Sequence, residues 1–273
     1  MFQAKVFIPL ALFVAAASMP ASAATDAEID ALYKIIGTPQ LIEIMRIEGL
    51  DQAEELHASM FPGRGGWDAI ASSIYDTDRM AATFRTEFGA VLAPADVETL
   101  LAFFASDPGT RIVGLELSAR EALLDEDVKK AAQEAFEALP GDDPERAALL
   151  EEFVSANDLI ELNVMGALNA SLAFYTGLSD GGGFEMTESD MLREVWSQVP
   201  GVRAETESWI YSYAALAYQP LTDDEIEDYT ALSRTPPGRD LNRALFAGFD
   251  AVFNEISLSL GLAASQFAQG DDI

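Results

Sequence analysis

Leu241, Leu245, Phe249, Val252, Phe253, Ile256 and Leu260 lie on one stripe at three- and four-residue spacing, and similar stripes run through nearly the whole chain past residue 25. Such a stripe is one face of an amphipathic helix. No stretch sustains apolar–polar alternation with β-branched enrichment, and Ala, Glu and Leu dominate the helical segments, so strands have little to build on. The periodicity predicts an all-α fold.

Breaks between helices are expected at Thr38-Pro39, Phe61-Pro62-Gly63, Pro94, Pro140-Gly141, Gly181-Gly182-Gly183, Pro200-Gly201 and Pro220, where proline cannot continue a helix or glycine ends one. Thr222 with Glu225 forms a capping box, and Thr187 with Asp190 a weaker one.

The stripes are arranged twice. "QLIEIMRIEGLDQ" (40–52) matches "DLIELNVMGALNA" (158–170) at an offset of 118, and "LAPADVETLLAFFASDPGTRI" (92–112) matches "LTDDEIEDYTALSRTPPGRDL" (221–241) at 129. The difference of 11 places an insertion in the second copy, for which "SDGGGFEM" is the natural site. The expectation is a helical bundle made of two sequence-related halves, residues 24–140 and 141–268, packed on each other because a unit this short cannot hide its apolar face alone. Residues 269–273 read as an acidic tail.

The best-marked repeat is a turn, with Ser106, Pro108 and Gly109 in one copy and Thr235, Pro236 and Gly238 in the other. Ser106 and Thr235 read as N-caps, and the prolines fill a first helical turn whose amides have no intrahelical acceptor to lose. Gly109 and Gly238 are poor helix formers, so their recurrence implies that another backbone passes close by. An anion site at these helix starts, with Arg111 or Arg239, is the functional rival. Phe103-Phe104-Ala105-Ser106-Asp107-Pro108-Gly109 and Leu232-Ser233-Arg234-Thr235-Pro236-Pro237-Gly238 resemble the signature of the family catalogued as domain of unknown function 2059, exported helical proteins of bacteria. The first copy keeps the aromatic pair but moves the proline; the second keeps Thr-Pro-x-Gly and loses the aromatics. The resemblance covers about a third of each half. It implies an α-helical periplasmic domain with no assigned activity, and it carries no catalytic residue onto this chain.

The opening "MFQAKVFIPLALFVAAASMPASA" has Lys5, an apolar run from Val6 to Ala17 and then Ala21-Ser22-Ala23, which reads as an export signal (1–23) cleaved after Ala23. That run is too short to span a bilayer, and no later stretch is expected to cross one. The formal net charge of −30 loses one positive charge with Lys5 and becomes −31, since residues 1–23 hold no acidic residue. Such a surface repels nucleic acid and anionic membrane, and it admits cationic ligands. With no Cys, the exported chain must rest on an ordinary buried core.

Chemistry-bearing patterns are sparse. Gly177-Leu178-Ser179-Asp180-Gly181 spells G-x-S-x-G, but it follows a helical segment, and the only histidine, His57, lies far upstream. Glu54 and His57 have the spacing of half a di-iron site, for which a second histidine would be needed. Asp142-Asp143 and Asp271-Asp272 read as loop and tail charges. Glu188-Ser189 and Glu207-Ser208 offer the Glu-Ser dipeptide of lytic transglycosylases, without the segment that accompanies it there. The aromatics Trp67, Phe84, Phe88, Trp196, Trp209, Tyr211, Tyr213 and Tyr218 read as core, and a groove lined by some of them would take an apolar or peptide ligand.

No cofactor or metal is expected. The leading functional expectation is an uncharacterised exported protein of the periplasm or cell envelope that binds or scaffolds a protein or peptide partner without catalysis. The alternative is a carboxylate-dependent hydrolase or lyase acting on envelope polysaccharide.

Overall fold

A computed structural model describes residues 25–62, 65–182 and 185–270. Among these residues there are twelve α-helices and no strand. The expected leader, Gly63, Gly183 and Asp271-Asp272 lie outside the described residues. In chain order the helices are α1 (Asp26–Ile35), α2 (Thr38–Met60), α3 (Trp67–Ile74), α4 (Thr77–Val91), α5 (Pro94–Phe104) and α6 (Asp107–Ala122), followed by α7 (Glu126–Asp142), α8 (Pro144–Ala156), α9 (Leu159–Asp180), α10 (Glu188–Tyr218), α11 (Asp223–Ser233) and α12 (Pro236–Gln269).

Local chemistry sets most helix starts. Thr25, Thr187 and Thr222 each close a capping box, with Glu28, Asp190 and Glu225 as partners. Asp76, Asp125 and Asp143 accept backbone amides at the starts of α4, α7 and α8, so Asp143 serves as a cap rather than a plain loop charge.

Two expected breaks are corrected. Pro200-Gly201 lies inside α10, which runs unbroken over 31 residues, and Pro140 lies in the last turn of α7, with the break at Asp143. An interior proline removes one ladder bond and costs about 3 kcal/mol. Packing of α10 along α9, α7 and α6 offsets that loss, and Arg203, three residues past Pro200, makes two hydrogen bonds to Glu161 of α9 at 2.5 and 2.7 Å.

The core is divided in two, and the helices following the two Pro-Gly turns enter opposite parts. One cluster joins Leu32 of α1, Phe84 and Phe88 of α4 and Leu100 of α5 to Ala244 and Val252 of α12. The other joins Leu150 and Phe153 of α8, Tyr218 of α10 and Ile226 of α11 to Ile112 and Ala119 of α6. Thus α6 bridges the two, with Val113 still in the α1–α4–α5 cluster and Ile112 and Ala119 in the α8–α10–α11 cluster, while α12 leaves α11 for the α1–α4–α5 cluster. Gly248 seats α12 on α4, where a Cβ would press 2.7 Å from the Phe84 ring. Where α9 and α12 cross, a Cβ on Gly177 would overlap the Leu258 carbonyl oxygen, and one on Gly261 the Phe174 carbonyl oxygen.

Among the described residues α12 alone is long and apolar enough to cross a membrane by length and composition, contrary to the expectation that no later stretch would be. It packs against α9, α4 and α5, and its Glu255 is paired with Arg79 at 3.1 Å.

Candidate functional site

The two turns have one geometry. Ser106 Oγ accepts the Gly109 amide at 3.4 Å and donates to the Phe103 carbonyl at 2.5 Å; Thr235 Oγ1 accepts the Gly238 amide at 3.2 Å and donates to the Leu232 carbonyl at 2.6 Å. Pro108 and Pro236 lie in the first turns of α6 and α12. A Cβ on Gly109 would overlap the Phe103 carbonyl oxygen, and one on Gly238 the Leu232 carbonyl oxygen. The backbone close to each glycine is therefore the last turn of its own preceding helix. The nearby cations are engaged elsewhere: Arg111 bonds Glu225 at 2.5 Å and the Pro220 carbonyl at 2.6 Å, and Arg239 bonds the Arg234 carbonyl. These turns are packing corners whose nearby arginines bond carboxylate and carbonyl oxygens of the described residues.

The other sequence candidates are scattered. Ser179 sits in the last turn of α9, with Gly177 committed to the α12 crossing. His57 stacks on Trp67 with ring centroids 6.2 Å apart and lies beside Phe61 and Phe267. Glu188 and Ser189 are exposed at the start of α10. Trp196, expected in the core, is 70% exposed, and nothing in the structure accounts for it.

What the fold does build is a cavity of about 1210 Å³ between α2, α9, α10 and α12, with α7 at its edge. Phe174 and Tyr175 of α9, Trp209 of α10 and Phe246, Phe249 and Phe253 of α12 supply an apolar, aromatic lining. The cavity exists because α12 is drawn toward α4 and α9, while α2 meets α9 and α12 across a gap. Its α10 wall is held rigidly: Trp209 stacks on Tyr213 at 5.3 Å, and the Arg120 guanidinium lies 5.0 Å over the Trp209 ring while bonding both oxygens of Glu48 at 2.7 and 2.5 Å.

Behind that wall Glu116 accepts the Tyr218 hydroxyl at 2.7 Å and the Tyr229 hydroxyl at 3.2 Å. Burial raises its pKa, and the two hydroxyl donors partly oppose the shift. Burial also holds the Tyr213, Tyr218 and Tyr229 hydroxyls well above the ordinary tyrosine range. Glu116 is a satisfied structural acid, since it is not part of the cavity lining.

The carboxylates lining the cavity differ in their partners. Glu48 is paired with Arg120, and the cation at the edge, Lys129, is paired with Glu126 at 3.3 Å. Asp250 lies against Gly166 of α9, half-buried, and makes no hydrogen bond or ion pair among the described residues. Burial raises its pKa. Sequence reasoning missed Asp250; its signal is a lone carboxylate between Phe246 and Phe253, at helical spacing on an aromatic stripe.

No protein-family model matches the chain, and neither a curated protein nor a solved structure is significantly similar to it.

Proposed function

We propose that this chain is an exported, non-catalytic binding protein of the bacterial envelope, in which two sequence-related halves enclose a ligand site at their seam. The cavity carries this reading. It is somewhat larger than most small-molecule sites, and its mostly apolar wall with a few polar groups and one unpaired carboxylate is the usual make-up of a ligand pocket. Export rests on the leader pattern of residues 1–23, and the link to the family of domain of unknown function 2059 rests on the two turn motifs.

The duplication is supported by several pairs of positions. The two turns share their caps and glycine contacts at an offset of 129, and each sends its following helix into the opposite cluster. Left-handed residues, Gly37 (φ 76°) and Asp158 (φ 50°), precede α2 and α9. These two are 121 residues apart rather than 118. An apolar helical stripe nearly superposes on itself after a shift of three, so the sequence match locates the helix better than its register.

The hydrolase alternative has no such support. A close carboxyl pair, Asp96 with Asp240, lies at a helix corner outside the cavity lining. The binding reading is tested by native mass spectrometry of protein recovered from its own cells under non-denaturing conditions. A small-molecule adduct that is lost when Ala170, in the cavity wall, becomes Trp is the expected result; unliganded protein together with no uptake of any apolar probe would refute it.

A further inference from the structure

One half-buried charged group of the cavity is left without a partner among the described residues. Asp250 belongs to the cavity lining, yet neither a cation nor a hydrogen-bond donor of the described residues meets it. An unpaired, half-buried carboxylate is unfavourable unless something satisfies it. The other charged groups of the lining are Glu48, Lys129 and Glu205; the first two have partners of their own, and Glu205 is exposed.

On the same helix, Phe246, Phe249 and Phe253 flank Asp250, and Trp209 lines the same cavity from α10. A carboxylate among aromatic faces complements a weakly hydrated organic cation, which gains from the charge and from the ring quadrupoles together. An anionic ligand would be repelled by Asp250 and by a chain of net charge −30, and a wholly apolar one would leave the carboxylate unsatisfied.

Resting on the reading of the cavity as a ligand site, we propose that its occupant is a small amphiphilic ammonium compound, with its cationic head on Asp250 and its apolar tail along the α9 and α12 aromatics. The wide cavity accommodates a bulky head or a folded tail.

The test uses three probes of equal chain length, decyltrimethylammonium, decanol and decanoate, each below its micelle concentration and titrated calorimetrically into the full chain. An acidic protein also attracts any cation to its surface. The measurements are therefore made at high salt, where surface attraction is screened, and Asp250→Asn removes only one of 46 acidic residues. The expected order is ammonium, then decanol, then decanoate. Asp250→Asn is expected to weaken ammonium binding about tenfold and to leave decanol unchanged. Equal ammonium affinity in wild type and Asp250→Asn would overturn the assignment of the head group while leaving the apolar site intact. Failure of all three probes to bind the wild-type protein would remove the site itself. A circular dichroism melt of the variant separates either outcome from misfolding, and Glu188→Gln, exposed at the start of α10 and outside the cavity lining, should bind all three probes as wild type does.

Discussion

The two Pro-Gly corners hold one backbone shape with opposite electrostatics. At the first, α6 brings Arg111 to Glu225 of α11; at the second, α12 brings Asp240 to Asp96 of α5. Arg111 and Asp240 stand at the same place in their helices, as do Glu225 and Asp96 in theirs, 129 residues apart in each case. One seam is therefore an attraction and the other a clash between like charges, eased by Arg243 beside Asp240. The backbone of the corner survives this change, so it is specified by the cap, the proline and the glycine and not by the ion pair.

The largest expected effect follows directly. Gly109→Ala and Gly238→Ala each drive a Cβ into a carbonyl that cannot retreat without unwinding the preceding helix, and each should destabilise by about 2 kcal/mol. For a domain of this size that lowers Tm by about 4–8 °C. Equal losses in the two variants would sharpen the equivalence of the corners. If one variant melted like wild type, the shared geometry would carry no shared energetics.

A smaller effect comes from changing the charges. Arg111→Asp gives the first corner the like charges of the second and should lower Tm, whereas Asp240→Asn, which removes the like charge without setting a new cation against Arg243, should raise it. Both shifts should fall well below those of the glycine variants, since exposed pairs contribute little and salt screens them. Repeating the melts at high salt should erase most of the difference, and a difference that persisted would point to packing instead of charge.

How far the chain could be read in advance depends on the range of the interaction. The all-α class was legible because one helix face must be buried whatever it meets, and the corners were legible because caps, proline and glycine act over four residues. The exchange of α6 and α12 between clusters was not, since Ile112 and Val252 are equally apolar whichever partner covers them. Pro200 was misread because a local rule was overridden by α9 and α7 packing on α10. The cavity was legible only as a groove along some of the aromatics, of which Trp209 lines it; its α12 wall was not, because Phe246, Asp250 and Phe253 make an ordinary helical stripe until α2 is seen to stand off from it.

The smallest prediction separates the corners by pH. Burial first, and then the neighbouring Asp240 carboxylate, raise the Asp96 pKa above its ordinary 3.8. The folded state thus binds that proton more tightly than the unfolded chain, and the resulting stabilisation is complete below 3.8 and is lost as pH rises through the raised value. Glu225 behaves oppositely. Backbone and side-chain hydrogen bonds from Thr222 and the charge of Arg111 lower its pKa below 4.5, so its contribution is present above 4.5 and is lost as pH falls through the lowered value. Acidification should therefore relieve one corner while weakening the other. Asp96→Asn should raise Tm by about 1–2 °C at neutral pH and have no effect near pH 3, whereas Glu225→Gln should lower Tm at neutral pH and converge on wild type in acid. Thermal melts of the two variants across that range read the crossing directly, and parallel profiles would show that the like-charged corner is relaxed by solvent and not held by the fold.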